Sequence, residues 1–251
     1  MNVQKIRNFL GGKKTEAARS LGLIPNNWEK ALPEEALFWR NALENPSTHW
    51  VQSEFDQRTN PEFPFQMEFR QLIHSNGESV VKILDVGAGP LTRIGKIWPG
   101  HQLEITATDP LAESYEQLLN DIALVPLVKT QNCLGEELAE KFSPDFFDFS
   151  YSSNALDHSR EPVVVIQQML KVTKPLGSLY LWHFANCGIG ERYKGLHQWN
   201  FDRDGSDLLI SDGRSSTFLQ PILGDTATVK CHDDTAFGSR VVVAVITKAA
   251  Q

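Results

Sequence analysis

The sequence predicts an α/β fold, a doubly wound, mostly parallel sheet that ends in an antiparallel C-terminal hairpin. Three observations carry this. Between about residues 79 and 185, short β-branched or aromatic runs alternate with helix-length segments, the pattern of a parallel sheet. The first run, Val80 to Val86, leads into Asp85-Val86-Gly87-Ala88-Gly89, an acid followed by a turn with two glycines. The second run, Leu103 to Asp109, also ends in an acid, twenty residues after Gly89. A buried strand that stops in a Gly-rich turn presents backbone N–H groups at its carboxyl end, where open α/β sheets bind ligands.

The elements follow in order. Val3 to Leu10 has helical spacing and is broken by Gly11-Gly12, and Thr15 to Leu21 reads as a second short helix. Pro33 to Leu43 is the strongest N-terminal helix, with Pro33, Glu34 and Glu35 in its first turn. After Asn45-Pro46 the text becomes irregular, and Asn60 to Phe65 is a Pro- and aromatic-rich link. Gln66 to His74 reads as a helix entering the first strand. Thr92 to Ile97 starts a short helix, Ala112 to Asn120 is a helix, and Leu124 to Lys129 is a weak third strand. Gly135 to Phe142 is a helix, Phe146 to Ser152 a strand, and Pro162 to Val172 a helix with Pro at its start. Lys174 to Gly177 is a turn before the fifth strand, Ser178 to Phe184. Residues 186–214 form a polar insertion containing Tyr193 to Asp202, with a short strand at Leu208 to Ile210. Ala227 to Cys231 and Arg240 to Thr247 pair as the closing hairpin, which makes a seven-stranded sheet. The expected division is an N-terminal helical cap or lid over 1–78 and a ligand-binding domain over 79–251.

Composition limits the function. The chain has 251 residues, 41% hydrophobic and 22% charged, with a formal net charge of −7. That acidity argues against a nucleic-acid groove, which needs a positive footprint. Cys133, Cys187 and Cys231 are odd in number and widely spaced, so they form neither a disulfide framework nor a paired zinc motif. No apolar run has the length of a membrane span, and Met1 to Lys5 does not open a signal-peptide hydrophobic region. These features lead us to expect a reducing, cytoplasmic setting without membrane or nucleic-acid partners, with a homodimer possible.

Four motifs in order and spacing resemble the class I, Rossmann-like S-adenosylmethionine-dependent methyltransferases. They are the Asp85 to Gly89 loop, the strand-ending Asp109, the run from Phe147-Asp148-Phe149 through Asn154-Ala155-Leu156-Asp157-His158 to Glu161-Pro162, and Met169 to Gly177. Gly195-Leu196-His197-Gln198-Trp199-Asn200-Phe201 looks like a feature of an uncharacterised subset of these enzymes. The resemblance implies S-adenosylmethionine as cofactor and S-adenosylhomocysteine as product. It places Asp85, Gly87 and Gly89 at the cofactor's amino acid end, Asp109 on the ribose hydroxyls and Asn154 near the methionine part. An acid usual after strand three is replaced by Cys133-Leu134-Gly135, so adenine falls to backbone groups near Leu134 and Gly135. A dehydrogenase loop would need glycine at position 92, where Thr92 stands.

Methyl transfer needs an aligned nucleophile and, for an oxygen acceptor, a base. The candidate bases are His183 at the end of strand five, His197 in the insertion, and His158. Tyr151, Asp157, Trp199 and Asn200 are the candidate substrate contacts, and a ring face beside a sulfonium would add cation–π attraction. Trp182 reads as packing. His158, His183, His197, Asp157 and Asp202 carry metal-ligating groups, but no HxH or HxxxH pair calls for an ion, and none is expected. The polar insertion suits a small hydroxylated molecule or saccharide unit methylated at oxygen. N- or C-methylation of a metabolite and a non-catalytic scaffold are the alternatives.

Overall fold

The computed structural model describes residues 28–46, 49–73 and 79–250. β1 (Val80–Val86) has Ile83 and Leu84 fully buried on its two opposite faces, as the central strand of a parallel sheet requires. β2 (Gln102–Asp109) pairs with it in parallel, from Val80 opposite Gln102 to Val86 opposite Thr108. β3 (Thr130–Asn132) extends that side, and β4 (Phe147–Ser153) and β5 (Thr173–Phe184) extend the other, all parallel. β6 (Asn200–Asp204), β7 (Asp207–Ser211) and β8 (Ser216–Phe218) form a separate antiparallel sheet. The hairpin β9 (Ala227–Ala236) and β10 (Ser239–Lys248) closes the large sheet, whose order is β3-β2-β1-β4-β5-β10-β9. Strand order reverses between β1 and β4, and a crevice opens there beyond the carboxyl ends.

The described helices are α1 (Trp28–Glu44), α2 (His49–Thr59), α3 (Met67–Arg70), α4 (Ala112–Asp121), α5 (Leu138–Lys141), α6 (Pro162–Val172), α7 (Cys187–Gly190) and α8 (Leu219–Leu223). α6 buries Val165, Ile166, Met169 and Leu170 against Leu138, Leu179 and Leu181 on one sheet face. The small sheet packs into the same core through Phe201, Leu208 and Ile210. Half of the insertion is therefore structural filling. Among the described residues no helix is long and apolar enough to cross a membrane.

The expected helix over Thr92 to Ile97 does not form. The segment runs extended against Phe63 to Phe65: Phe65 N–H donates to the Ile97 carbonyl at 2.8 Å, and Lys96 N–H to the Phe63 carbonyl at 2.7 Å. Tertiary backbone pairing outcompetes a helix whose first hydroxyl, on Thr92, is already committed to Asp85. The sheet face that a helix would cover is filled from upstream by Phe65, Phe69 and Ile73, packed on Val81, Ile83 and Phe149. The Phe69 ring lies 5.2 Å from Phe149 and 4.9 Å from Tyr180.

Other expectations shift as well. The third strand is Thr130–Asn132, because Leu124 to Lys129 contains Pro126 and an almost fully exposed Val125. α1 starts at Trp28, before Pro33, because Trp28 and Ala31 bury against Leu196. Residues 49–59 are helical, and the helix after residue 66 stops at Arg70. Lys174 to Gly177 is an irregularity inside β5, with Leu176 left-handed at φ 64°. The helices read at Val3 to Leu10 and Thr15 to Leu21 lie outside the described residues.

The extended connection makes a stability prediction. A Cβ on Gly95 would stand 2.1 Å from the Pro64 carbonyl oxygen. Gly95→Ala should therefore lower unfolding free energy by about 1–3 kcal/mol. Gly190→Ala, with open space around the new Cβ, should stay within about 0.5 kcal/mol of the parent. Urea denaturation of the two variants checks both values.

Candidate active site

Gly87 and Gly89 are both left-handed, with φ of 69° and 65°. A Cβ on Gly87 would meet the Ala155 Cβ at 2.3 Å, and one on Gly89 would meet the Trp39 indole at 2.8 Å. Conformation and space both demand glycine here. Gly87 and Ala88 N–H groups donate to the Thr108 carbonyl at 2.8 and 3.1 Å, which ties the loop to the end of β2. Gly89 N–H donates to Asp109 Oδ2 at 3.1 Å, and Leu111 N–H donates to Oδ1 at 2.9 Å. Asp109 thus joins the loop to the turn before α4. Each oxygen keeps acceptor capacity for a ribose hydroxyl. Burial pushes its carboxyl up to about 7.

Asp85 is placed differently from the expectation. It lies under the loop, where Thr92 Oγ1 donates to Oδ2 at 2.5 Å, and it does not reach the cleft lining. Burial raises its carboxyl to about 6, against the opposing hydrogen bond from Thr92 and the charge of Arg58. Its role is to hold the loop from below.

A cleft of about 110 Å³ opens over the glycine loop. Asp109, Leu134, Gly135 and Asn154 line it, as the sequence expects of the cofactor set. Its roof is one face of α1: Trp28, Leu32, Glu35 and Trp39, residues at helical spacing. The cleft continues into a chamber of about 370 Å³, and Glu35, Trp39, Arg58, Ser153, Asn154 and His158 border both. Arg58 is buried and donates to the Ala88 and Leu91 carbonyls and to Glu54. Glu54 also meets Arg93 at 3.3 Å. One carboxylate serving two guanidiniums leaves positive charge beside the loop, suited to the carboxylate of an amino acid moiety.

The chamber wall carries His158 and His197, with Asp157 behind them. His197 Nδ1 lies 2.8 Å from Asp157 Oδ2 and 3.0 Å from His158 Nε2. Asp157 is almost fully buried. Burial alone would raise its carboxyl, but His158 and His197 outweigh that and hold it far below the usual carboxylate range. His197 is raised, because the bond to Asp157 overcomes its own desolvation. Cys187 Sγ lies 3.4 Å from the same Nδ1.

The structure does not bring the other candidates to the site. His183 is buried with its ring stacked on Phe201 at 4.0 Å, and burial drops it to about 4. It borders neither cavity, so it is not placed to act as a base. Tyr151 is packed in the aromatic cluster with Phe69 and Tyr180. Trp199 Nε1 donates to the Ser159 carbonyl at 3.1 Å, and Asn200 is fully buried, accepting from Ile189 N–H and donating to Tyr193 Oη. These three are structural. Trp182, read as packing, instead borders the chamber. Trp28, Glu35, Trp39 and Arg58 were not anticipated as site residues. Glu54 and Arg58 lie four apart on α2, and tertiary packing, which no local pattern announces, leaves their side chains little exposed.

Residues 84–181 match the family model described as a methyltransferase domain. That match assigns this part of the chain to a methyltransferase domain. The enzyme depends on S-adenosylmethionine, and the glycine loop, Asp109 and the Leu134–Gly135 edge fit that cofactor. The methyltransferase is similar to three solved structures. One is a methyltransferase of Methanosarcina mazei, 14% identical, covering 75% of this chain and 100% of that one with a TM-score of 0.46. Another is the 1,6-didemethyltoxoflavin-N1-methyltransferase of Burkholderia thailandensis, 16% identical over 90% of this chain and 92% of that one, with a TM-score of 0.48. The third, from Aquifex aeolicus, is 15% identical over 76% and 91%, with a TM-score of 0.42. No curated protein sequence matches the chain.

Two outcomes follow for the cofactor cleft. Asp109→Asn should weaken S-adenosylhomocysteine binding at least about tenfold, or 1.4 kcal/mol, by isothermal titration. Hydroxyl donors stabilise the carboxylate, so the bound pKa falls below the free value of about 7. Affinity should therefore be full above pH 7 and decline toward pH 6, by at most about tenfold per unit. Asp109→Asn should flatten that decline.

Proposed function

We propose that the enzyme methylates an oxygen of a small, polar, hydroxylated molecule or a saccharide unit. The continuity of the glycine-loop cleft with a chamber walled by His158 and His197 is the observation that supports this reading. His158 stands where the two spaces join. Glu191, Glu35 and the two histidines offer hydrogen-bonding groups, while Trp182 and Phe184 offer ring faces for a sugar or similar ring.

When bound, the cofactor supplies an electrophilic methyl group on a sulfonium whose leaving group is a neutral thioether. The chain then has two tasks, alignment and proton removal. Asp109 and the loop fix the adenosyl end, and Arg58 fixes the carboxylate end. His158 takes the proton of the acceptor hydroxyl. α1 acts as a lid over the cleft and excludes water through Trp28 and Trp39. The N-terminal region that contains this lid acts as a cap on the methyltransferase domain. Three free cysteines suit a reducing, cytoplasmic setting.

His158→Gln should lower turnover about a hundredfold or more while S-adenosylhomocysteine affinity stays within about twofold. Turnover would be measured against polar metabolites with a methyl-labelled cofactor. Normal turnover of the variant would remove His158 from the mechanism. Failure of the parent enzyme to bind S-adenosylhomocysteine would sink the enzymatic reading.

A further inference from the structure

The hydrogen bonds around His197 do not balance. Its Nδ1 can carry one proton, yet three heteroatoms crowd it: Asp157 Oδ2 at 2.8 Å, His158 Nε2 at 3.0 Å and Cys187 Sγ at 3.4 Å. The second Asp157 oxygen, Oδ1, is buried with no hydrogen-bond partner. A buried carboxylate with an unpaired oxygen is costly unless a cation offsets it. Ligand atoms of Asp157, Cys187 and His197 all lie within 4.8 Å of one another. A tetrahedral ion with bonds of about 2.0–2.3 Å holds its donor atoms about 3.3–3.6 Å apart. Cys187 Sγ and His197 Nδ1 already stand 3.4 Å apart, and the 2.8 Å between Asp157 and His197 would open by about half an ångström as an ion enters.

We propose that Asp157, Cys187 and His197 bind a divalent transition-metal ion whose remaining position opens toward His158 and the chamber. The donors are one oxygen, one sulfur and one imidazole nitrogen. The thiolate selects a borderline ion of the zinc or cobalt type and disfavours magnesium and calcium. Three protein ligands and one open position are the arrangement of a site that engages substrate. The ligands come from the turn after β4, from α7 after β5, and from the loop leading to β6, so no short spacing in the sequence announces them. The inference rests on the proposed function only for what fills the open position. There the acceptor hydroxyl coordinates, its O–H bond is weakened, and the proton passes to His158. The oxygen then forms its bond to the methyl carbon as the carbon–sulfur bond breaks, the electron pair leaving with sulfur. The metal changes no oxidation state, and ligation releases the Cys187 thiol proton.

The test uses the full chain, stripped with a chelator and titrated with Co²⁺. One equivalent should bind and produce a thiolate-to-cobalt charge-transfer band in the near ultraviolet. The band should vanish in Cys187→Ser and persist in Cys231→Ser. Affinity should fall at least about tenfold in His197→Gln and in Asp157→Asn. Isothermal titration with S-adenosylhomocysteine verifies that each variant is folded. If Asp157→Asn is not, the Cys187→Ser spectrum decides. Protein that binds S-adenosylhomocysteine but takes up no Co²⁺, or whose Co²⁺ spectrum ignores Cys187→Ser, overturns the site and leaves the methyltransferase reading standing. Absence of S-adenosylhomocysteine binding in the parent removes the latter reading, and the cobalt spectrum still judges the metal site by itself.

Discussion

The rest of the site depends on how the end of β2 grips the glycine loop. Thr108 gives its carbonyl to two loop amides, and the Asp109 carboxylate takes a third. Those bonds hold Gly87 and Gly89 in left-handed conformations that side-chain-bearing residues would strain to adopt. Because Gly89 ends in hydrogen rather than a methyl group, the Trp39 indole can close over it. One set of backbone bonds therefore sets the cleft floor, the orientation of Asp109 and the height of the roof.

The second constraint is charge. Asp157 sits nearly fully buried behind two imidazoles, Asp85 is buried beneath the loop, and Asp109 is buried beside it at the edge of the cleft. Water does not compensate these groups, so their neighbours decide their state. Asp85 and Asp109 meet mainly desolvation and rise. Asp157 meets histidines and falls. The same residue type thus takes opposite roles within one site, a proton-sensitive acceptor at the end of β2 and a fixed anion after β4.

Much of the fold was legible in the sequence, because β1, β4 and α6 are defined by local patterns: a continuous apolar strand, an aromatic strand, and Pro162 opening an apolar helix. The cleft-lining positions Gly87, Gly89 and Asp109 were legible for the same reason, since each lies at or just after a strand end. What failed to show was whatever depends on distant packing. The Thr92 to Ile97 segment has helix-compatible residues, but Phe63 and Phe65 claim its backbone. His183 looked like a base because it ends a strand near the site, yet its side of the strand faces Phe201. Tyr151 likewise faces the aromatic cluster of the opposite sheet surface. Strand alternation decides these cases, and a one-residue change in facing exchanges core for cavity. Arg58 and Cys187 carried no local signal at all.

The missing helix between β1 and β2 also bears on what the smallest self-sufficient piece of this molecule is. Phe65, Phe69 and Ile73 precede β1, yet they cover Val81, Ile83 and Phe149 in the middle of the sheet. A protein trimmed to begin at β1 would keep every glycine and acid of the loop but lose that cover. It would expose a contiguous aromatic and aliphatic surface, the kind that drives self-association. The unit that can be excised, fused or transplanted therefore begins at the Pro-rich link near residue 60, well before the first strand.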